Sequence, residues 1–422
     1  MYKLWSDWDL NQWLSYLENR NTQEIQLGLT RITAIAQKLS LLTTPAKVIT
    51  VTGTNGKGST VSALESIYHT AGYVVGSYTS PHLLTFNERI RVNCKPVSDS
   101  AICAAFAAIE DAREETVLTY FETATLAALW HFKQLNLDLI IMEVGIGGRL
   151  DATNIIDSDL AIVTTVDFDH QDYLGNTLEA IGYEKAGIMR QGKPIVYADS
   201  NPPLSILTQA AKLSAPSYLY GRDYSINENL DGWQLHYADK SYSLPIPKIQ
   251  LKSAAAALMA SFLLNDYLPI NAELLPKAIG SIFLAGRLQL FPGPVDLLFD
   301  VSHNPQSATL LGKTLKSMKR KTAIHAVFSA LKDKDIVGLI NPLRDCVDHW
   351  YPAELHTKRA ASKTILLTKF READLFAEIC YNTPLTAFDA ALKKAKTGDL
   401  IVVFGSFFTV SQVMAAQNML LN

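Results

Sequence analysis

The residues that most clearly indicate chemistry run from Gly53 to Thr60, in the order Gly-Thr-Asn-Gly-Lys-Gly-Ser-Thr. A short β-branched run precedes them and a helical pattern follows. Glycines allow consecutive backbone N–H groups to face a phosphate, the helix N-terminus adds positive potential, and Lys57 can reach the outer phosphates. A hydroxyl at Ser59 can ligate Mg²⁺ beside them. The segment therefore predicts a site for a nucleoside triphosphate rather than an ordinary strand-to-helix turn.

The spacing differs from the common G-x-x-x-x-G-K-[ST] pattern, because Gly58 separates Lys57 from Ser59. The residues expected to hold ATP here are Gly53, Thr54, Asn55, Gly56, Lys57, Gly58, Ser59 and Thr60.

A second candidate is Glu143, which ends the apolar run 139–142 and is followed at once by the glycine-rich stretch 145–154. Open parallel sheets bind ligands at the carboxyl ends of their strands. An acid that ends a buried strand beside a phosphate site is a usual way to hold Mg²⁺, directly or through water. The alternative is a solvated carboxylate at a strand end.

Two further polar residues are ambiguous by spacing alone. His170 follows the next strand, in Asp167-Phe168-Asp169-His170, and is equally compatible with a structural histidine and with a ligand. Lys185 lies in a helical pattern, and its position alone indicates only a surface lysine.

The elements that must position these residues alternate between strand and helix, which predicts an α/β fold with a largely parallel sheet. From about 217 to 247 the pattern changes to short antiparallel hairpins around Asp231-Gly232, and two helices follow at Leu251–Asn265 and Ala272–Phe283. The sequence Phe291-Pro292-Gly293-Pro294 then breaks the chain, and the strand–helix alternation restarts. We therefore predict two domains: a P-loop-type α/β domain over 1–290 with a small antiparallel β section, and a smaller Rossmann-like α/β domain over 291–422.

Composition excludes several classes of protein. With 422 residues, of which 48% are hydrophobic and 19% charged, the chain can bury a sizeable core. A net charge of -3 gives no electrostatic reason to expect nucleic acid or an anionic membrane as partner. The four cysteines form no C-x-x-C pair and are typical of reduced thiols. The longest apolar helical run, 254–264, is too short to span a bilayer, and the N-terminus does not resemble a signal peptide, so we expect a cytoplasmic protein.

Several segments together resemble the folylpolyglutamate synthases, and especially the bifunctional dihydrofolate synthase/folylpolyglutamate synthases, of the Mur-ligase superfamily. Eleven matching segments occur in order along nearly the whole chain: 27–31, 53–59, 79–83, 87–90, 143–154, 169–170, 184–188, 286–287, 300–305, 333–335 and 405–407. The phosphate loop of that superfamily carries the inserted glycine seen here at Gly58.

The resemblance implies roles for the ambiguous residues. Two Mg²⁺ ions would be organised by Ser59, Ser80, Glu143, His170 and Lys185. Lys185 would be a carbamate, because an ammonium repels Mg²⁺ whereas a carbamate offers oxygens and negative charge. The residues expected to act in catalysis are Lys57, Lys185, His170 and His303.

The resemblance also implies where the substrates bind. The pterin would be held by Ile25, Gln26, Leu27, Thr119, Tyr120, Phe121, Glu122, Leu150, Asp151 and Ala152. In the second domain Arg287 and Asp300 would contact ATP, and His303 and Ser406 would face L-glutamate. Near residue 253 the family usually has an asparagine that contacts adenine. This chain has no asparagine there and reads Leu251-Lys252-Ser253-Ala254, and we assign the ATP contact at this place to Ser253.

The activity that this resemblance implies is ATP-dependent addition of L-glutamate to dihydropteroate and to reduced folates through an acyl phosphate, by a monomeric enzyme. Two alternatives within the superfamily are a folylpolyglutamate synthase without the dihydropteroate activity and a UDP-muramoyl-type amino-acid ligase. A third is a non-catalytic nucleotide-binding module, which would have no reason to keep Glu143, His170 and Lys185 together.

Overall fold

A computed structural model describes residue 5 and residues 7–21, 25–229, 232–318, 322–377 and 379–417. The chain divides into two compact units, Met1–Phe283 and Leu284–Asn422. Across the described ranges, we find no helix with the length and apolar character that a membrane crossing requires.

The main sheet of the first unit has eight strands: β1 (Lys47–Thr52), β2 (Val75–Tyr78), β3 (Ile90–Val92), β4 (Lys95–Pro96), β5 (Leu139–Glu143), β6 (Leu160–Val163), β7 (Ile195–Tyr197) and β8 (Ser217–Leu219). Their order across the sheet is β4-β3-β2-β5-β1-β6-β7-β8. Strands β2, β5, β1, β6, β7 and β8 pair in parallel, whereas β3 and β4 add an antiparallel edge. The carboxyl ends of β2, β5, β1 and β6 therefore lie side by side.

The described part of this unit contains the helices α1 (Leu10–Arg20), α2 (Thr30–Lys38), α3 (Lys57–Thr70), α4 (Asp99–Arg113), α5 (Tyr120–Lys133), α6 (Gln171–Leu174), α7 (Leu178–Ala186), α8 (Leu204–Lys212), α9 (Leu251–Leu263) and α10 (Leu275–Gly280). Helices α1, α2, α4 and α5 pack with β1, β2 and β5 into one apolar core, in which Trp13 and Phe106 are almost fully buried. Ser59–Tyr68 of α3 and Ser253–Ser261 of α9 are buried without interruption. A helix that is apolar on all sides belongs inside a protein, and α9 fits that description because alanines fill positions 254–257.

A small antiparallel sheet forms from β9 (Tyr224–Asn229), β10 (Gly232–Tyr237) and β11 (Lys240–Leu244). The predicted hairpins are thus present, although Asp231 lies outside the described residues. One predicted helix is wrong in length. Pro276 has no N–H to donate, so it fits a helix start, and Ala272–Phe283 is divided into a 3₁₀ turn, Ala272–Leu274, and the short α10.

The second unit has a five-stranded sheet of β12 (Gln289–Phe291), β13 (Asp296–Phe299), β14 (Ile324–Phe328), β15 (His349–Pro352) and β16 (Leu400–Phe404), in the order β12-β13-β16-β14-β15. Of these five strands, β12 alone is antiparallel. Its helices are α11 (Pro305–Ser317), α12 (Ile336–Ile340), α13 (Lys363–Glu372), α14 (Pro384–Lys394) and α15 (Phe407–Ala416). The predicted α/β class, with its mostly parallel main sheet and second α/β unit, is confirmed. The units divide after Phe283, and the Phe291–Pro294 break lies inside the second unit, between paired strands β12 and β13.

Candidate active site

The Gly53–Thr60 loop joins β1 to α3 at the carboxyl edge of the main sheet. A Cβ atom on Gly53 would lie 1.8 Å from Thr164 Oγ1, and its φ of +152° disfavours any side chain, so this position requires glycine. Helix α3 begins at Lys57, whose Nζ donates to the carbonyl oxygens of Gly53 at 2.9 Å and Thr54 at 3.3 Å. Lys57 therefore lies back along the loop, where an outer phosphate would meet its ammonium.

The segment after β6 holds the loop in place. Thr54 N donates to Thr165 O at 2.9 Å, and Asn55 N donates to Thr165 Oγ1 at 2.9 Å. Thr164 Oγ1 donates in turn to Asn55 O at 2.5 Å, and Thr54 Oγ1 donates to Asp167 O at 3.0 Å. The loop is thus preorganised by contacts with residues more than a hundred positions away in the chain.

The remaining residues of the loop lie in the first turn of α3. Ser59 and Thr60 are both buried, and Thr60 Oγ1 donates to Gly56 O at 3.0 Å. Ser253, near the start of α9, also packs here, with its Oγ 3.4 Å from Gly56 O. Ser253, which we assign to the ATP site from the sequence, therefore lies beside the loop. The sequence alone does not predict where its helix, α9, packs.

Glu143 ends β5 and is paired in register with Val51 of β1, two residues before Gly53. Its side chain is buried, and its Oε2 accepts a 3.2 Å hydrogen bond from the backbone N–H of Ser80, which follows β2. Two of the five predicted metal ligands are thus in direct contact, at the edge that also carries Ser59.

His170 follows β6 at the same edge. It has a left-handed backbone, with φ +49°, and begins α6 as its N-cap. Its Nε2 lies 3.9 Å from Asp169 Oδ1. A histidine in the left-handed region is uncommon, and such conformations occur preferentially at functional sites.

Lys185 lies within α7, where it is buried. Burial, with a further contribution from Lys57, lowers the pKa of Lys185 to about 7. Loss of hydration disfavours the ammonium form, and a nearby cation disfavours it further. The lysine that spacing alone assigned to the surface is therefore buried, within reach of the charge of Lys57.

The end of α7 is anchored to the glycine-rich stretch that follows β5. Arg149 pairs with Glu184 at 2.8 Å, and Arg149 N donates to Glu184 O at 2.8 Å. Asn154 Nδ2 donates to Gly187 O at 3.1 Å. These contacts on both sides fix the helical turn that carries Lys185.

Among the described residues there is no group of three or more His, Cys, Asp and Glu side chains that could hold a metal ion. The predicted set contains only Glu143 and His170 of these types, with serines and a lysine. Mg²⁺ is usually bound through one or two carboxylates, with waters and substrate phosphates completing its shell. A buried Glu143 beside Ser80 and the loop fits that pattern.

The three segments predicted to bind the pterin come together. Gly28 N donates to Leu150 O at 3.1 Å, which joins the first segment to the third. Arg31 Nη2 donates both to Gln26 O and to Glu122 Oε1, each at 3.0 Å, which joins the first to the second. The second and third also meet, since a Cβ on Gly145 would lie 2.7 Å from the Phe121 ring and 3.1 Å from Asp151 Oδ2.

Two residues that sequence reasoning left without a role lie beside this region. Arg89 is 9% exposed and stacks on the rings of Phe86, at 5.6 Å, and Tyr120, at 5.4 Å. Its Nε donates to His82 Nδ1 at 2.8 Å, and burial, with the charge of Arg89, lowers the pKa of His82 to about 4. His82 is therefore neutral, with its proton on Nε2. The two residues lie in matching segments, so the resemblance marked them, but nothing in their spacing indicated the contact.

The four predicted residues of the second unit gather at the carboxyl ends of β13 and β16. Arg287 and His303 both lie against the ring of Phe407, at 5.0 Å and 5.9 Å. Asp300 is buried, which raises its pKa, although its carboxylate accepts hydrogen bonds from Leu288 N and Ser302 N.

His303 and Ser406 have defined hydrogen-bonding states. His303 Nδ1 lies 3.0 Å from the carbonyl of Val301, which can only accept, so Nδ1 carries a proton. Ser406 is the N-cap of α15, where its Oγ accepts from Thr409 N at 3.0 Å.

Known proteins are similar to this chain in both sequence and fold. Residues 51–265 match the family model of the Mur ligase middle domain, and residues 286–407 match that of the Mur ligase glutamate ligase domain. The dihydrofolate synthase/folylpolyglutamate synthase of Escherichia coli (strain K12) is 42% identical over 406 residues, covering 96% of this chain and 94% of that protein.

Solved structures agree with the sequence matches. E. coli FolC in complex with DHPP and ADP superposes with a TM-score of 0.93 at 40% identity, covering 98% of both chains. A bifunctional folylpolyglutamate synthase/dihydrofolate synthase with Mn, AMPPNP and L-glutamate bound gives a TM-score of 0.91 at 40% identity, again over 98% of both chains. The resemblance found in the sequence is confirmed: this chain belongs to the dihydrofolate synthase/folylpolyglutamate synthase family of Mur ligases.

Proposed function

We propose that this protein adds L-glutamate to dihydropteroate, giving dihydrofolate, and to reduced folates, giving folylpolyglutamates, through an acyl phosphate. Family membership makes the chain an ATP-dependent glutamate ligase. The observation that carries the finer proposal is the joining of the three pterin segments through Gly28–Leu150 and Arg31–Glu122. The stretch that carries Leu150 also meets the end of β1, where Thr52 Oγ1 donates to Gly147 O at 2.5 Å. A carboxylate acceptor bound there would lie at the edge of the sheet that ends in the loop.

The proposed reaction has two steps. An oxygen of the substrate carboxylate attacks the γ-phosphorus of ATP, the bond from phosphorus to the β,γ-bridging oxygen breaks, and ADP leaves. The α-amine of L-glutamate then attacks the acyl carbon, phosphate departs with the bonding electrons, and the amine loses a proton to give the amide. Lys57 and the backbone N–H groups of its loop stabilise the transferring phosphoryl group, which is mainly a matter of positioning and electrostatics.

We further propose that Ser59, Ser80, Glu143, His170 and Lys185 hold two Mg²⁺ ions. Mn in two related structures supports a divalent ion, and the contact between Glu143 and Ser80 supports the set. When bound, the ions supply positive charge against the phosphate oxygens.

Lys185 in this proposal is a carbamate. A lowered pKa leaves a large fraction of its amine neutral near pH 7, and the nitrogen lone pair can then add to the carbon of CO₂ with loss of one proton. The product carries a negative charge where Lys57 already disfavours a second cation.

Residues 1–290 would bind ATP and the pterin, and residues 291–422 would supply the glutamate side. Arg287 and Asp300 would contact ATP, whereas His303 and Ser406 would face the amino acid. The predictions of a cytoplasmic location and a monomeric state remain predictions.

An assay that compares three acceptors tests this function. Purified protein is supplied with ATP, Mg²⁺ and L-glutamate, and phosphate release and amide product are measured with dihydropteroate, with a reduced folate and with a UDP-muramoyl acceptor. We expect turnover of the first two and none of the third. Turnover of the folate alone would contradict the proposed dihydropteroate activity but would support the folate ligase activity. Turnover of the muramoyl acceptor alone would refute the proposed substrate class.

A further inference from the structure

The first pterin segment lies within residues 25–29, before α2, and has little structure of its own. Residues 25–29 belong to no helix or strand. Ile25 and Leu27 are half-buried and Gln26 is exposed. A segment of this kind keeps a defined position only if contacts from elsewhere hold it, because fixing each residue costs about 1–2 kcal/mol of conformational entropy.

Two arginines flank that segment in the sequence, and both bind the first turn of α5. Arg20, the last residue of α1, donates through Nη2 to Thr123 Oγ1 at 2.7 Å and to Leu118 O at 3.2 Å. Its Nη1 pairs with Glu110 at 2.7 Å. Arg31, in the first turn of α2, reaches the same turn of α5 through Glu122.

The contact of Arg31 is a bridge rather than a simple ion pair. One nitrogen, Nη2, donates hydrogen bonds to both Gln26 O and Glu122 Oε1, each at 3.0 Å. The side chain of Glu122 is only 4% exposed, and its other oxygen accepts from Thr119 N at 2.7 Å. Both oxygens of Glu122 therefore have partners inside the protein, which is a different role from the substrate contact that the resemblance implies.

We propose that Arg31 and Glu122 are a positioning pair that holds the Ile25–Leu27 segment against the start of α5 and so sets the affinity for the pterin part of the substrate. This inference rests on the proposed function. It reassigns Glu122 from a substrate ligand to a residue that acts through Arg31 and Thr119. The pair lies in the pterin region and not at the phosphate loop. Its loss should therefore weaken binding of the substrate and of the transition state equally, which raises KM and leaves kcat unchanged.

The experiment compares the wild type with Arg31→Met and with a matched control, Lys38→Met. Lys38 is on the same helix and pairs with Glu114 at 3.0 Å, but both partners are exposed. We expect Arg31→Met to raise KM for dihydropteroate and reduced folate by about tenfold or more, as loss of a hydrogen bond to a charged group does. The values of kcat and of KM for ATP stay within about twofold, and Lys38→Met behaves as the wild type.

Hydrogen exchange gives a readout that does not depend on activity. The amide of Gly28 is bonded to Leu150 O at 3.1 Å, so the peptide that contains it exchanges faster in Arg31→Met and unchanged in Lys38→Met. If the wild type turns over neither acceptor, the proposed function fails, while the exchange result still decides whether Arg31 holds the segment.

A double variant decides the role of Glu122. If it acts through Arg31, then Arg31→Met with Glu122→Gln raises KM no more than the worse single change. Additive effects would mean that Glu122 acts on KM independently of Arg31, and would overturn the proposal. An Arg31→Met protein with unchanged KM and unchanged hydrogen exchange would also overturn the proposal. The same holds for an Arg31→Met protein in which only kcat falls. Should Arg31→Met not fold, Arg31→Lys carries the same comparison, since an ammonium cannot reproduce the guanidinium geometry.

Discussion

Lys57 is the single side chain on which phosphate transfer should depend most. Its Nζ is held by the carbonyl oxygens of Gly53 and Thr54, so the ammonium is in place before a nucleotide arrives. We expect Lys57→Ala to lower kcat for phosphate release by about 10²–10³-fold, the usual effect of removing one preorganised electrostatic contact. Steady-state kinetics check this.

Lys47→Ala is the control for that variant. Lys47 begins β1 at the opposite edge of the sheet, where it pairs with Asp159 at 3.5 Å. It should retain near-wild-type kcat. Acyl phosphate formation by Lys57→Ala at the wild-type rate would show that the loop has been misassigned.

Lys185 should exist as a carbamate in the purified enzyme. In buffer with ¹³C-bicarbonate we expect a carbamate carbon signal in the NMR spectrum, because burial favours the neutral amine that adds CO₂. Lys185→Ala should remove the signal and lower the glutamate ligase activity by about 10²-fold or more. Lys193→Ala is the control: this lysine is exposed and paired with Asp159, so its loss should leave the signal unchanged. A signal that survives in Lys185→Ala would contradict the assignment.

At the scale of elements, the strand–loop–helix unit depends on a glycine where strand and loop meet. Gly53→Ala would place a methyl group within 1.8 Å of Thr164 Oγ1, so the loop or β6 must move, and Thr164 would lose its bond to Asn55 O. We expect destabilisation by about 2–4 kcal/mol, more than the roughly 1–2 kcal/mol of an unfavourable φ alone. Binding of a non-hydrolysable ATP analogue, followed by calorimetry, should be lost.

Gly72→Ala provides the comparison. Gly72 also has a positive φ, +94°, but apart from its two chain neighbours no described residue comes within 4 Å of the place where its methyl group would lie. Thermal unfolding should therefore show only the conformational cost of about 1–2 kcal/mol, with analogue binding unchanged. Equal effects of the two substitutions would mean that contact with Thr164 is not what makes Gly53 necessary.

The sequence predicts elements whose residues lie close together in the chain. It does not predict contacts between residues that are far apart in the chain. The loop between β1 and α3 is recognisable because glycines, lysine and hydroxyls follow one another within eight residues. Glu143 was found because it ends an apolar run. The bridge from Arg31 to Glu122 spans 91 positions, and no periodicity relates the two residues. The burial of Lys185 likewise follows from how α7 packs, which spacing cannot supply.

At the scale of the whole molecule, each unit has candidate site residues at one end of its parallel sheet and pairs of titratable side chains at the other. In the first unit the carboxyl ends of the strands carry the Gly53–Thr60 loop, Ser80, Glu143 and His170, and in the second they carry Asp300, His303 and Ser406. The amino ends carry such pairs instead: in the first unit Asp159 pairs with Lys47 and Lys193. Substitutions at the amino ends should therefore change stability with little effect on turnover.

The amino end of the second sheet contains a histidine that should make stability depend on pH. His325 of β14 is buried, with its Nδ1 3.0 Å from the Tyr351 hydroxyl and its Nε2 3.4 Å from Asp399 Oδ2. The centre of the His349 ring lies 4.8 Å from that of His325. His349 Nδ1 in turn lies 3.4 Å from Lys394 Nζ. Burial lowers the pKa of His325 despite the attraction of Asp399. The neutral ring uses both nitrogens, donating to Asp399 and accepting from Tyr351, so protonation would disturb three neighbouring strands at once.

The sign follows from that lowered pKa. The unfolded chain takes up a proton near the ordinary histidine pKa of 6.5, before the folded chain does, so the stability that His325 contributes is present above pH 6.5 and is lost as the pH falls below it. Urea titrations read by pulse-labelling hydrogen exchange of peptides from β14 to β16 should give a lower free energy of unfolding at pH 5.5 than at pH 7.5. In His325→Gln that difference should shrink, because the amide donates and accepts without titrating, while His236→Gln, a change on β10 of the first unit, should keep it in full. Since carboxylates also titrate in this range, the decisive quantity is the difference between the wild type and His325→Gln at the two pH values; if it does not change with pH, His325 does not couple protonation to the stability of this sheet.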